Sequence, residues 1–338
     1  MVCQTTTNRG HSRNQAKNDD LSAEMATTSC QFDIAGQLAL SPTRPTSLGA
    51  RRRLLAGNKS GTLRFLSSGI LARRVLQHVQ PTAEGIDEMA EPGNALRLDG
   101  VPQSIGEALQ SLARQLRSVD GLRSITVVGS AVTEDFKAAA SDINTVVVLE
   151  RHGMAALNGI GALAKPMSKK RFSPPLLMTD AYIERSRDVF GVEFLDFQLT
   201  HRTILGDDPF AGLSFGKTDV RLQCERELKA ILIRLRQGYI AAAGNRRLVR
   251  DVLVATAKGL APLLRAMLWL KDLDRPQTMQ PTFRQATGAF GVHLAAVATA
   301  ERWRYEKPRL DDRQIETAFE SIYAAVDRLA TIVDALEV

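Results

Sequence analysis

Residues 127–150, VVGSAVTEDFKAAASDINTVVVLE, hold the side chains best suited to chemistry in this chain. Gly129 and Ser130 close one apolar run, and after a spacer Asp142 and Asn144 open the next. A glycine at a strand end lets the backbone approach a phosphate closely, and the serine adds a hydroxyl and an N–H to hold it. Two residues spaced i, i+2 on a strand leave from the same face. Carboxylates at that spacing hold the Mg²⁺ ions that clamp the attacking and leaving oxygens of phosphoryl or nucleotidyl transfer. Asn144 departs from this chemistry. It offers a neutral carbonyl oxygen where a hard dication among phosphates favours a charged one, so metal affinity should fall.

The elements that must position these residues are legible around them. In SIGEALQSLARQL, Ile105, Leu109, Leu112 and Leu116 recur at helical spacing behind Ser104 as an N-cap. Gly121 ends that helix, SITVVGS reads as a buried strand and DINTVVVLE as a second one rich in β-branched residues. Residues 151–175 should form one helix and then a loop. VEFLDFQ alternates as a third strand, with Phe194, Asp196 and Gln198 on one face and Glu193, Leu195 and Phe197 on the other, ending at the turn LGDDP. Beyond Asp219 the period becomes helical: Leu222, Leu228, Ile231, Leu232 and Leu235 form a stripe, and further helices are expected over 245–272, 280–303 and 311–336. The reading is α+β: a small mixed-sheet domain over 96–215, then an α-helical bundle over 216–338.

Gly129, Ser130, Ser141 and Asp142, with their flanking strands, resemble the signature of the DNA polymerase β-like nucleotidyltransferase superfamily. DVFGVEFLDFQLTHRTILGDDPF and RLQCERELKAILIRLRQGY are similar to uncharacterised bacterial nucleotidyltransferase-domain proteins, so the resemblance covers roughly residues 105–240. It implies a nucleotidyltransferase-type sheet domain followed by helices. By the same resemblance Gly129, Ser130 and Asn144 border a nucleotide, and Mg²⁺ or Mn²⁺ lies on Asp142, Asn144 and Asp196. Asp142 and Asp196 would be catalytic, and all three side chains would share one cleft. The implied partners are an NTP and an acceptor hydroxyl on a small molecule, a protein or RNA. Because Asn144 replaces the second carboxylate, two functions stand side by side: metal-dependent transfer of a nucleoside monophosphate, and binding of a nucleotide or partner protein without turnover. A third, a purely structural helical protein, makes the sheet half a passive scaffold.

Composition narrows the setting. The apolar stretch Val252–Leu270 contains Lys258, Pro262 and Arg265, so it reads as a buried helix and no membrane partner is expected. Three scattered cysteines give no disulfide framework, which fits a reducing cytoplasm. Residues 1–88 hold 11 Lys+Arg against 7 Asp+Glu, four of the net charge of +7, so most of the basic excess lies outside the folded part. Residues 1–95 show no sustained period and read as a mostly disordered leader, a targeting peptide, or translated sequence upstream of Met89, with one short amphipathic patch at Leu63–Val79. Lys169, Lys170 and Arg171 read as a solvated loop in preference to a phosphate clamp, and Arg226, Lys229, Arg234 and Arg236 as the outer face of a core helix. The histidines show no metal or dyad pattern, aromatic residues are too sparse for a base-stacking platform, and a homodimer is left open.

Overall fold

The computed structural model describes residues 95–338. All of the expected leader except its last residue, the Leu63–Val79 patch included, lies outside them. The chain runs α1 (Gln103–Leu116), β1 (Leu122–Val128), a 3₁₀ turn (Gly129–Val132), β2 (Asn144–Leu149), α2 (Met154–Lys169), β3 (Leu176–Met178), α3 (Asp180–Arg185), α4 (Gly191–Leu199) and β4 (His201–Leu205). Five helices follow: α5 (Lys217–Ala242), α6 (Arg246–Leu270), α7 (Met279–Phe290), α8 (Ala295–Glu306) and α9 (Asp312–Asp334).

The four strands lie in the order β3-β2-β1-β4, with β1 antiparallel to β2 and β4 and β2 parallel to β3. Alternation gives the sheet two covered faces. Ile125, Val127, Val147 and Leu149 pack with Leu109, Leu112 and Leu116 of α1 and Ile160 of α2. Val128, Val146 and Val148 pack on the other side against Phe194 and Phe197 of α4, with Phe210. The expected Ser104 cap is corrected: α1 begins at Gln103 behind Pro102, with no side-chain cap, because the fixed φ of proline suits a helix entrance.

The expected third strand, VEFLDFQ, is helix α4. Its alternation is accidental, since a helix buried on two sides mimics a strand. Val192 and Leu195 enter the core of the helical half, while Phe194 and Phe197 enter the sheet-side core. A short helix thereby wedges the two halves together. The strand that precedes the LGDDP turn is β4, a few residues later.

In the helical half α6 is central, buried on nearly every side by Leu253, Leu260, Leu264, Met267 and their neighbours. It alone among the described residues is long and apolar enough to cross a membrane, and most of that length is buried inside the bundle. The expected helix over 280–303 is two helices, α7 and α8, broken at Gly291, whose φ of 62° is open to glycine at no steric cost. Leu222 leaves the expected apolar stripe of α5 for solvent, and Val220, Gln223 and Cys224 take the buried positions at that end.

Candidate functional site

The site is built where β1 ends. Val128 pairs with Asn144 on one side and with His201 on the other, placing these three residues in one row across the sheet. Gly129 then turns the chain with φ 75°, and its N–H donates to the Thr200 carbonyl at 2.8 Å. A side chain added at Gly129 would meet nothing within 4 Å, so the outer side of the turn is open. A 3₁₀ turn, Gly129–Val132, starts here, and its first N–H, that of Gly129, is the one taken by Thr200. The β1–β2 ladder ends at Val128–Asn144, so Ser130 lies two residues past one end of that pair and Asp142 two residues before the other, and both are half-buried.

Asp142 is not a free carboxylate. Arg171, just before the Ile143–Phe172 bridge that leads into β3, donates from Nη2 to Asp142 Oδ1 at 3.3 Å. The same guanidinium donates to the carbonyls of Ser141 at 2.9 Å, Ala139 at 3.2 Å and Ala140 at 2.6 Å. Arg171 therefore staples the end of the spacer and neutralises its acid, and it does so from a left-handed backbone conformation, φ 64°. Lys169 and Lys170 are exposed, in keeping with a solvated loop, whereas Arg171 departs from that reading. No local signal in the sequence marks it, because its partners lie about thirty residues upstream.

Asn144 points from the same face as Val128, and its Oδ1 is buried with no hydrogen-bond partner; the Thr145 hydroxyl on the opposite face is in the same condition. Asp196 lies on α4 and is buried, with its Oδ1 accepting from Arg265 Nη1 at 2.6 Å. Arg265 is buried as well and also donates to the carbonyls of Pro276 and Gln277. This pair ties α4 to α6 and to the loop before α7. Among the described residues no three His, Cys, Asp or Glu side chains converge as a metal centre would require.

This donor set does not fit the Mg²⁺ or Mn²⁺ that the resemblance implies. A two-metal centre needs several anionic oxygens meeting on one point. Here each acid of the expected set already faces a guanidinium, and the third member is a neutral, buried amide oxygen. A dication in contact with Asp142 would be repelled by the cation already beside it.

The spacer is also held from the helical half. Asp135 Oδ2 accepts from the Met279 N–H at 2.7 Å, satisfying the first turn of α7, and burial raises its pKa. Arg304 donates to the Ala140 carbonyl at 3.4 Å and to the Tyr305 hydroxyl at 3.3 Å. Glu301 is buried beside Gln280, which donates to it at 3.3 Å, and burial raises its pKa too. His201 and Asp208 form a pair at 2.7 Å at the start of β4, a dyad the sequence reading did not find because its partners sit across a turn. The cations of α5 are occupied at its surface: Lys229 with Glu225, Arg226 and Arg234 with Glu227, and Arg236 with the Tyr323 hydroxyl.

The coordinates define an α+β protein in which a Gly-Ser turn at the end of one strand faces an Asp-x-Asn segment that opens its antiparallel neighbour, with a helical bundle closing behind. Among solved structures, the chain is similar to the crystal structure of spectinomycin adenyltransferase AAD(9) from Enterococcus faecialis with ATP and spectinomycin, at a TM-score of 0.42 and 10% identity, covering 67% of this chain and 98% of that one. At that level the likeness transfers no residue roles. No family model matches the chain, and no curated protein matches it.

Proposed function

We propose that this chain is a nucleotidyltransferase-type protein that holds the phosphates of a nucleotide at the Gly129–Ser130 turn without transferring the nucleoside monophosphate. The observation that carries this reading is the pairing of Asp142 with Arg171 next to a neutral Asn144. Transfer by two metals needs several anionic oxygens converging at the reacting centre, and here Asp142 is paired with Arg171 while Asn144 is neutral. The turn keeps a glycine at positive φ with an open outer side and the serine that follows it, which suit a close approach of phosphate. The transfer reading, with an acceptor hydroxyl on a small molecule, a protein or RNA, requires Asp142 and Asp196 to leave both guanidinium groups. Only the motif spacing favours it.

The test is calorimetric titration with ATP, GTP, CTP and UTP, paired with a transfer assay using α-labelled NTP. At least one nucleotide should bind, and label transfer should not exceed that of Asp142→Ala. Gly129→Ala should weaken binding by placing a methyl on the open side, and should cost about 1–2 kcal/mol of stability through backbone strain. Absence of binding by all four nucleotides, or label transfer that Asp142→Ala abolishes, refutes the reading.

A further inference from the structure

We propose that the guanidinium of Arg171 occupies the place of a divalent cation, so that the site binds nucleotide phosphates independently of metal. This rests on reading the Gly129–Ser130 turn as a phosphate site. Arg171 stands 3.3 Å from the Asp142 carboxylate oxygen, within the reach of a charge-assisted contact. A dication coordinating that oxygen at about 2.0–2.6 Å would come almost into contact with the guanidinium, two positive centres sharing one anion.

Arg171 is also anchored. Three carbonyls, those of Ala139, Ala140 and Ser141, fix its orientation before any ligand arrives. Of its five N–H groups, four are engaged in these bonds and in the contact with Asp142, which leaves one N–H and the full charge for an incoming phosphate. Its side chain keeps 41% of its surface exposed, so the charge is accessible. A left-handed backbone at a non-glycine residue persists only where surrounding contacts over-determine it, and these four bonds do so. Its partner Asp142 lies two residues before Asn144, which pairs with Val128 at the foot of the Gly129–Ser130 turn, and the neighbouring Lys170 adds positive potential.

The experiment is titration of the full chain with ATP in EDTA and in MnCl₂, together with Mn²⁺ alone followed by the electron paramagnetic resonance of the free ion. In the wild type, ATP affinity should agree within about twofold between EDTA and Mn²⁺, and Mn²⁺ alone should not bind. Arg171→Gln should weaken ATP binding in EDTA by about tenfold or more and make it respond to Mn²⁺, since Asp142 is then released. Asp142→Asn keeps all three carbonyl anchors of Arg171. It should tighten ATP binding in EDTA, the opposite of what a metal ligand would show, and so reports even where Arg171→Gln fails to fold. Binding of ATP in Mn²⁺ and not in EDTA overturns this proposal and leaves the phosphate turn standing. Loss of EDTA-ATP binding in Asp142→Asn, or its retention in Arg171→Gln, overturns it as well. Absence of binding in both buffers overturns the turn itself and the proposal with it.

Discussion

Asn144→Asp restores the letter that the motif lacks, and the structure sets what it should do. The new oxygen adds no bulk, but it carries charge into a side chain whose present oxygen is buried without a partner. It also stands two residues after Asp142, which lies just outside β2. Burial without a partner disfavours ionisation, so the new carboxyl should titrate well above the ordinary aspartate value. A rise of about 2–3 units corresponds to about 3–4 kcal/mol at neutral pH, because each unit is worth about 1.36 kcal/mol. For a chain of this size that is a melting temperature lower by about 5–15 °C. The sign follows from linkage: the variant equals the wild type below the unfolded value near 3.9, loses stability as pH rises toward the raised folded value, and stays low above it. Differential scanning fluorimetry of both proteins from pH 4 to 8, with and without Mn²⁺, reads this directly. An unchanged melting temperature at pH 7.5 would show that the side chain reaches water. A loss that Mn²⁺ reverses would show that position 144 faces a metal, and would refute the assignment of Arg171 as the resident cation.

Two further outcomes test how the site is supported. Arg265→Met leaves Asp196 buried without its cation and should lower unfolding free energy by about 3–5 kcal/mol, whereas Arg265→Met with Asp196→Leu should recover much of it; equal losses in urea denaturation would show that the ion pair is not the source. Glu301, like Asp135, has a folded pKa raised by burial, so the stability present below its unfolded value is lost as pH rises through the folded one. Glu301→Gln should therefore raise the melting temperature more at pH 7.5 than at pH 4.5, and a pH-independent difference would contradict the burial argument.

Where one periodicity dominated, the sequence was readable. Ile105, Leu109, Leu112 and Leu116 lie on one buried face of α1, and the β-branched run after Asp142 is β2. Residues 191–199 failed because α4 buries both sides: with Val192 and Leu195 apolar on one flank and Phe194 and Phe197 on the other, helical and strand periods cannot be distinguished. The lead-in to β3 was hidden differently. Pro174 and Pro175 demote any strand pattern, yet β3 lies at the sheet edge, where proline is tolerated. With that strand unseen, nothing in the chain brought Arg171 to Asp142. Asp196 illustrates the limit of motif arithmetic: residue type was right for a ligand, and the cation it meets, Arg265, comes from a helix far along the chain.

The arginines also bear on how the site behaves before a ligand arrives. A carboxylate cluster awaiting a metal carries mutual repulsion until the ion enters, so such sites commonly order on loading. Here Arg171 and Arg304 donate to carbonyls of the spacer, Asp135 accepts from the first N–H of α7, and Arg265 joins α4 to the loop before α7. These contacts form within the protein itself, which favours a preformed site whose ordering entropy was met during folding. Such a scaffold suits recognition better than turnover, because charge that is already neutralised cannot increase its hold on a transition state. The bonds of Arg171 and Arg304 to spacer carbonyls hold the segment that carries Asp142 in place before a ligand arrives, which is what the proposed binding of a nucleotide without transfer requires.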